Sequence, residues 1–125
     1  MNQWREGMKA RTHRFAVDVM RLLRGIPDRT DTRRLKDQLS GAAVGVDLNW
    51  RAACRARSHK EFTAKLGTTL EEADEAEECL DIMHDARIRE GDEMRRLRAE
   101  SKELRSIFAK ASRTASDNER HRRNG

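Results

Sequence analysis

The chain has 125 residues, of which 39% are charged, with one proline, no tyrosine and a net charge of +5. This length suits one domain, and the composition excludes a β-rich fold, because sheets need more β-branched and aromatic residues. No apolar run is long enough to span a membrane, the first ten residues lack the apolar centre of a secretory signal, and the two cysteines lack CxxC spacing. We therefore expect a cytoplasmic, all-α protein with reduced thiols.

Charge is distributed unevenly along the chain. The net charge is +8 over residues 1–60, −9 over residues 61–93 and +6 over residues 94–125. The acidic block could pair with the basic segments within one chain or between copies, or leave basic faces free for polyanions. Composition does not choose between these alternatives.

Apolar residues recur every three or four positions in the first half of the chain, which indicates amphipathic helices. The first helix is predicted from about Lys9 to Arg24, and Gly25 and Pro27 end it. The second is predicted from Asp31 or Thr32 to about Arg55, with either Asn49 or Trp50 on its apolar stripe. Gly41 and Gly45 lie inside this helix, where close packing against another helix would explain them.

Two further helices are predicted in the second half. Ser58 and Glu61 form a capping box, in which the hydroxyl accepts from the third amide and the carboxylate accepts from the cap amide. The third helix begins there and ends near Asp85, and the fourth begins around Gly91. Four such helices with short connections predict an antiparallel up-down-up-down four-helix bundle.

Both chain ends lack a clear apolar pattern. The bundle core is predicted within about residues 9–115, and the basic tail 116–125 is expected to be disordered. Residues 1–7 are expected to be similar, although Trp4 and Met8 could dock on the bundle. The whole chain, residues 1–125, is predicted to be one domain.

One stretch, from Leu39 to Leu80, is more specific than its periodicity. It contains the segments Ala42-Ala43-Val44-Gly45-Val46, Asn49, Arg57-Ser58-His59-Lys60-Glu61-Phe62, and Leu66-Gly67-Thr68 with Glu71. In order and spacing these segments resemble the four-helix bundle family encoded in intervening sequences of bacterial 23S rRNA genes. Two departures are Gly45-Val46 in place of the family's Ser-Ile and Arg51-Ala52-Ala53 in place of its Ala-Glu-Gly.

The resemblance implies a homo-oligomer, typically a pentameric ring, that associates with nucleic acid and has no established catalytic activity. Related bundles are accessory proteins of diversity-generating retroelements, so a reverse transcriptase and its RNA are implied as further partners. The residues that carry the resemblance are read as structural: Asn49, Ser58, Glu61, Phe62, Gly67 and Glu71.

Two of these residues leave alternatives open. Asn49 is interpreted as bonding to the region between Ser58 and Glu71, since a buried amide needs hydrogen-bond partners. Contact with a ligand or partner is the alternative. Glu71 could pair inside the bundle or stay exposed on the acidic helix.

Catalytic and metal-binding patterns find no support. A carboxylate metal site in a bundle needs Glu on two helices and Glu-x-x-His on two others, whereas this chain offers only Asp81 and His84 at that spacing. There is no nucleophile motif and no glycine-rich phosphate loop. We expect neither enzyme activity nor a cofactor.

Basic residues offer the main binding hypothesis, because most of the 27 are arginine, which binds phosphate with two hydrogen bonds and stacks on bases. This bias favours RNA over DNA, with recognition mainly through backbone charge. The alternative is an assembly module, in which the acidic third helix occupies these arginines. The candidate nucleic-acid contacts are Arg11, Arg14, Arg51, Arg55, Arg57, Arg95, Arg96, Arg98, Lys102 and Arg105.

Overall fold

The computed structural model describes residues 2–124, which form four α-helices joined by short loops. The helices are α1 (Asn2–Arg24), α2 (Arg33–Cys54), α3 (His59–Asp85) and α4 (Asp92–Asn124). Met1 and Gly125 lie outside the described residues, so the expectation of disordered ends is tested only over residues 2–7 and 116–124.

The helices form the predicted bundle. α1 and α3 each pack against both α2 and α4, whereas the backbones of α1 and α3 do not come close to each other, so these two helices lie diagonally opposite. The ring of Trp50, near the end of α2, contacts Trp4 at the start of α1, Phe62 at the start of α3, and Phe108 in the middle of α4. His59, at the start of α3, bonds to Ala115 in the second half of α4. Successive helices are therefore antiparallel, and the up-down-up-down topology is confirmed.

The core is the shared centre of the four apolar stripes. Trp50, Phe15 and Phe108 are its largest fully buried side chains. Trp50 therefore occupies the stripe position of α2 that the sequence left open between it and Asn49. Each such large side chain contributes about 1.5–3 kcal/mol through removal of its apolar surface from water. The remaining fully buried side chains above alanine size are Val19, Leu39, Val46, Leu66, Leu80, Met83, Met94, Leu97 and Leu104, with Thr12, Thr69 and Ser101.

The first and last helices, α1 and α4, extend further toward the chain ends than predicted. α1 begins at Asn2 and not near Lys9, because Trp4 and Met8 continue the apolar stripe. Docking of these two residues is confirmed: Trp4 packs on Trp50, and Met8 is buried.

The expectation of a disordered tail is wrong for residues 116–124, which continue α4 as a regular helix. His59 of α3 hydrogen-bonds the Ala115 carbonyl at 3.1 Å and lies 3.6 Å from the Glu119 carboxylate. Within the tail, Arg120 pairs with Asp117 and Arg123 lies near Glu119, spacings that support a helix. A contact with α3 and local ion pairs thus stabilise a segment without an apolar stripe.

The start of α3 shows the predicted cap with one difference. The Ser58 hydroxyl accepts a hydrogen bond from the Glu61 amide at 3.0 Å. The Glu61 carboxylate accepts from the Arg57 amide, one residue before the cap, and not from the cap amide itself. The helix start is therefore correct, and the second bond of the box is displaced by one residue.

Only one of the two glycines in α2 marks a close helix contact. A methyl group added at Gly45 would overlap the side chain of Glu72 on α3, so this glycine permits the close approach of α2 and α3. Nothing lies within 4 Å of the same position at Gly41, which is exposed. The packing explanation is confirmed for Gly45 and wrong for Gly41.

Candidate nucleic-acid interface

Two of the arginines predicted on α4 face the acidic third helix within the same chain. Arg98 pairs with Asp81 at 2.9 Å, and Arg105 pairs with Glu77 at 2.7 Å. The hydrogen bonds that Arg105 donates to the Glu77 carboxylate raise the pKa of Arg105. These two arginines therefore join α3 to α4. Their guanidinium groups are largely occupied by carboxylates of the same bundle and are not free for nucleic acid.

Two other candidates join α1 to α4. The Arg11 guanidinium donates to both carboxylate oxygens of Glu100 at 2.8 Å, a bidentate pair, and it lies 3.2 Å from Glu103. Arg96 binds Asp18 of α1 at 2.8 Å and Glu93 of its own helix at 2.6 Å. The hydrogen bonds that the two arginines donate to these carboxylates raise the pKa of both arginines.

Arg51 belongs to a buried polar network that the sequence did not indicate. Its guanidinium donates to Asp47 at 3.1 Å, and the same carboxylate oxygen accepts from the Thr12 hydroxyl of α1 at 3.0 Å. Asp47 is only 8% exposed, so its two hydrogen bonds compensate for the loss of water. The signal available in the sequence was Asp47, a charged residue at a position on the buried side of α2. Arg51 is therefore mainly a structural residue.

The other five candidates have different surroundings. Arg95 pairs with Asp92 in the first turn of α4. Arg14, Arg55, Arg57 and Lys102 are exposed, and none of them forms an ion pair with any residue in 2–124.

Arg55 and Arg57 lie at one end of the bundle, which we call the basic end. It is formed by the start of α1, the α2–α3 corner and the last part of α4, here residues 2–9, 50–62 and 108–124. From residue 51 to residue 60 the chain carries four basic residues and no acidic one. The last part of α4 adds five basic residues against two acidic ones. The positions that sequence reasoning missed here are Lys60, Lys110, Arg113, Arg120, Arg122 and Arg123.

The opposite end of the bundle has a more balanced charge. From residue 85 to residue 96, around the α3–α4 loop, four basic residues face four acidic ones. Lys36 holds the α1–α2 loop in place. Its ammonium group donates hydrogen bonds to the Ile26 carbonyl at 2.6 Å and to the Asp28 carboxylate at 2.7 Å. The Lys36 ammonium lowers the pKa of Asp28. Residues 24–37, around the α1–α2 loop, add five basic residues and three acidic ones, so the two corners of the opposite end have a net charge of +2. The basic end has a net charge of +7 over the residues that define it, so positive charge is concentrated there.

Aromatic side chains cluster at the same end. Four of the five Trp and Phe residues lie there: Trp4, Trp50, Phe62 and Phe108. The Arg5 guanidinium lies 4.9 Å from the centre of the Phe62 ring, a cation–π distance. The sequence predicted recognition mainly through backbone charge, because it did not reveal that these rings meet.

The other residues that carry the family resemblance either contact the bundle itself or make no ion pair or close contact. The Asn49 amide donates to the Gly45 carbonyl of its own helix at 2.9 Å, so the predicted bond to the Ser58–Glu71 region is wrong. Phe62 is half-buried against the core. Glu71 is exposed and forms no ion pair within residues 2–124, which agrees with the second of its two alternatives. At Gly67 nothing lies within 4 Å of an added methyl group.

Neither cysteine has the environment of a nucleophile. Both thiols are free, and burial raises the pKa of Cys54 and raises that of Cys79 to about 11. A thiol with a raised pKa is protonated at neutral pH and reacts slowly. In the part of the chain described here, no three His, Cys, Asp or Glu side chains are grouped to hold a metal ion.

The 23S rRNA-intervening sequence protein family model matches residues 7–110. This chain belongs to that family. A solved structure with the same fold is a protein of unknown function from the S23 ribosomal protein family of Bacteroides thetaiotaomicron. The two chains are 20% identical with a TM-score of 0.78, over 87% of this chain and 97% of the other.

Family membership confirms the resemblance carried by residues 39–80, and the structural match supports the fold alone. Neither match bears the name of an enzyme. No curated protein matches the sequence. Among residues 2–124, no helix combines the length and the hydrophobicity that crossing a bilayer requires.

Proposed function

We propose that this protein is a non-enzymatic, homo-oligomeric RNA-binding module of a bacterial cytoplasmic ribonucleoprotein. The observation that carries the proposal is the basic end, where Arg55, Arg57, Lys60, Lys110 and Arg113 have no ion-pair partner within residues 2–124. Most arginines elsewhere on α4 are paired with carboxylates, so this end is the natural position for a polyanion.

The chemistry of the basic end suits a phosphate backbone. Arginine forms bidentate hydrogen bonds with phosphate, and exposed side chains pay little desolvation when they bind it. Each neutralised phosphate releases counterions, so binding weakens as salt is added. A complex with four phosphate contacts would be about 100-fold weaker at 200 mM salt than at 50 mM. Single-stranded and looped RNA suits the site better than duplex DNA, because the exposed ring of Trp4 and the half-buried ring of Phe62 can contact unstacked bases.

Self-association would strengthen such binding. A ring of identical copies repeats every weak phosphate contact and raises the overall affinity without a new contact. Glu71, Asp74, Glu75 and Glu78 on α3 are exposed and unpaired within the described chain, so they could meet basic residues of a neighbouring copy. We propose a ring, with a pentamer as the expected copy number and a reverse transcriptase as one possible protein partner.

An assembly scaffold without RNA binding is the second candidate. It is favoured by one observation: six of the ten predicted contacts, Arg11, Arg51, Arg95, Arg96, Arg98 and Arg105, are already paired within the chain. Leu48 on α2 is 57% exposed, so it could make an apolar contact with a neighbouring copy.

Fluorescence anisotropy distinguishes the two candidates. Labelled structured RNA, with DNA of the same length for comparison, is titrated with protein at two salt concentrations after light scattering has fixed the oligomer mass. The proposal predicts an oligomer that binds RNA more tightly than DNA and loses affinity steeply with salt. An oligomer that binds neither polymer at low salt would favour the scaffold.

A further inference from the structure

A groove of about 770 Å³ opens at the basic end, between the starts of α1 and α3 and the last part of α4. Its apolar lining includes Phe62, Leu66, Ile107 and Ala111. A cleft of this size with a mainly apolar floor and a few polar groups is typical of small-ligand sites. The groove is open to solvent, so a ligand can enter it.

The charge around the groove is positive. Arg5 and Lys110 line it, and none of its lining residues is Asp or Glu. Ser58, Thr114 and Asn118 add groups that can donate and accept hydrogen bonds. The ligand that fits these surroundings has an apolar or aromatic part, polar edges and a negative charge.

Trp4 provides an aromatic surface at the edge of the groove. It is 43% exposed and meets Trp50 edge to face, with ring centres 5.4 Å apart and planes at 81°. Within residues 2–124 no aromatic ring stacks parallel on the indole. The Trp50 indole donates to the Arg5 carbonyl at 3.3 Å, which fixes the start of α1 beside the groove.

We infer that this groove binds one unpaired nucleotide of an RNA strand. The base lies against Trp4 and the apolar floor, Ser58 and Asn118 contact its polar edge, and Arg5 and Lys110 hold the adjacent phosphates. Arg55 and Arg57, just outside the groove, continue the phosphate path. This inference rests on the proposed function and adds that the RNA is recognised where it is single-stranded.

The test compares a labelled single-stranded RNA with a fully paired RNA duplex of equal length. The wild-type protein should bind the single strand more tightly. Trp4→Ala should weaken single-strand binding about tenfold, the loss expected for one stacked base, and leave duplex binding unchanged. Met20→Ala, which removes an exposed apolar side chain elsewhere, is the matched control and should change neither.

Tryptophan fluorescence gives an independent readout. Single-stranded RNA should quench the emission of the wild-type protein, and Trp4→Phe, which retains the buried Trp50, should abolish the quenching. Lys110→Glu alters an exposed position without touching the core, and it should weaken single-strand binding more than duplex binding.

The outcomes distinguish failure of the groove assignment from failure of the proposed RNA binding. Equal affinity for the two RNAs, unquenched emission or an equal effect of Trp4→Ala on both RNAs would overturn the groove assignment and leave RNA binding in place. Absence of binding to either RNA would overturn the proposed function, and the groove assignment with it.

Discussion

Ser58 is the residue that sets the start of α3. Its hydroxyl satisfies the Glu61 amide, one of the four amides that a helix start leaves without a partner. We therefore expect Ser58→Ala to lower the free energy of unfolding by about 1 kcal/mol. Urea denaturation measures the change. Ser106→Ala, at an exposed position inside α4, should cost nothing, and an equal loss in both variants would contradict the role of the cap.

Glu72 makes stability depend on pH. Burial, followed by the charges of Glu75 and Glu71, raises the pKa of Glu72 above its usual value. The folded state then holds this proton more tightly than the unfolded chain does, so ionisation of Glu72 lowers stability as the pH rises through its folded pKa. Below the usual glutamate pKa of about 4.3 both states are protonated, and the penalty is absent.

Glu72→Gln should accordingly raise the melting temperature at pH 7, and the gain should vanish near pH 4. Thermal unfolding followed at several pH values measures this. Glu78→Gln removes a charge from an exposed position of the same helix and serves as the control. A gain for Glu72→Gln that is the same at pH 4 and pH 7 would show that ionisation is not its cause.

At the scale of elements, α4 extends beyond the core. Ala115 is its last buried side chain, and of residues 116–124 only Glu119 is even half-buried. Removal of residues 116–125 should therefore leave the melting temperature nearly unchanged, while circular dichroism loses only the helix signal of the removed turns. Arg120, Arg122 and Arg123 are lost with them, so the salt slope of RNA binding should fall by about 1 to 3. A bundle that unfolds on truncation would contradict this view of the segment.

The helix ends show which features a sequence can reveal. The start of α3 was predictable because its signal, a serine followed by a glutamate three residues later, is local. The start of α1 and the last two turns of α4 were missed because their support is distant: Trp4 rests on Trp50, and the Ala115 carbonyl is bonded to His59. Periodicity detects a stripe, but it does not show which residues of two helices meet.

At the scale of the whole molecule, the same limit applies to charge. The sequence identified the excess of arginine, but the rotation of α3 and α4 decides that Arg98 and Arg105 meet Asp81 and Glu77. Only three-dimensional packing separates these paired arginines from Arg55 and Arg57, which form no ion pair with the residues that the structure describes. The fold was therefore predictable from the four apolar stripes and the family from residues 39–80. The sequence named Arg55 and Arg57 among the candidates, but it could not separate them from the arginines that are paired.

The central claim is that RNA binds at the basic end, and a matched pair of charge reversals tests it most directly. Arg55→Glu with Arg57→Glu alters the basic end, and Arg33→Glu with Arg34→Glu makes the same change of net charge at exposed positions of the opposite end. Arg51 is retained in both variants, because glutamate there would face the buried Asp47 carboxylate.

The measurement is the affinity for a labelled structured RNA at two salt concentrations, on variants whose unfolding matches that of the wild type. The account predicts that the basic-end variant loses at least tenfold in affinity and about 2 in salt slope, while the opposite-end variant stays close to wild type. Equal losses in the two variants would mean that RNA responds only to net charge, and that result would contradict the assignment of the basic end.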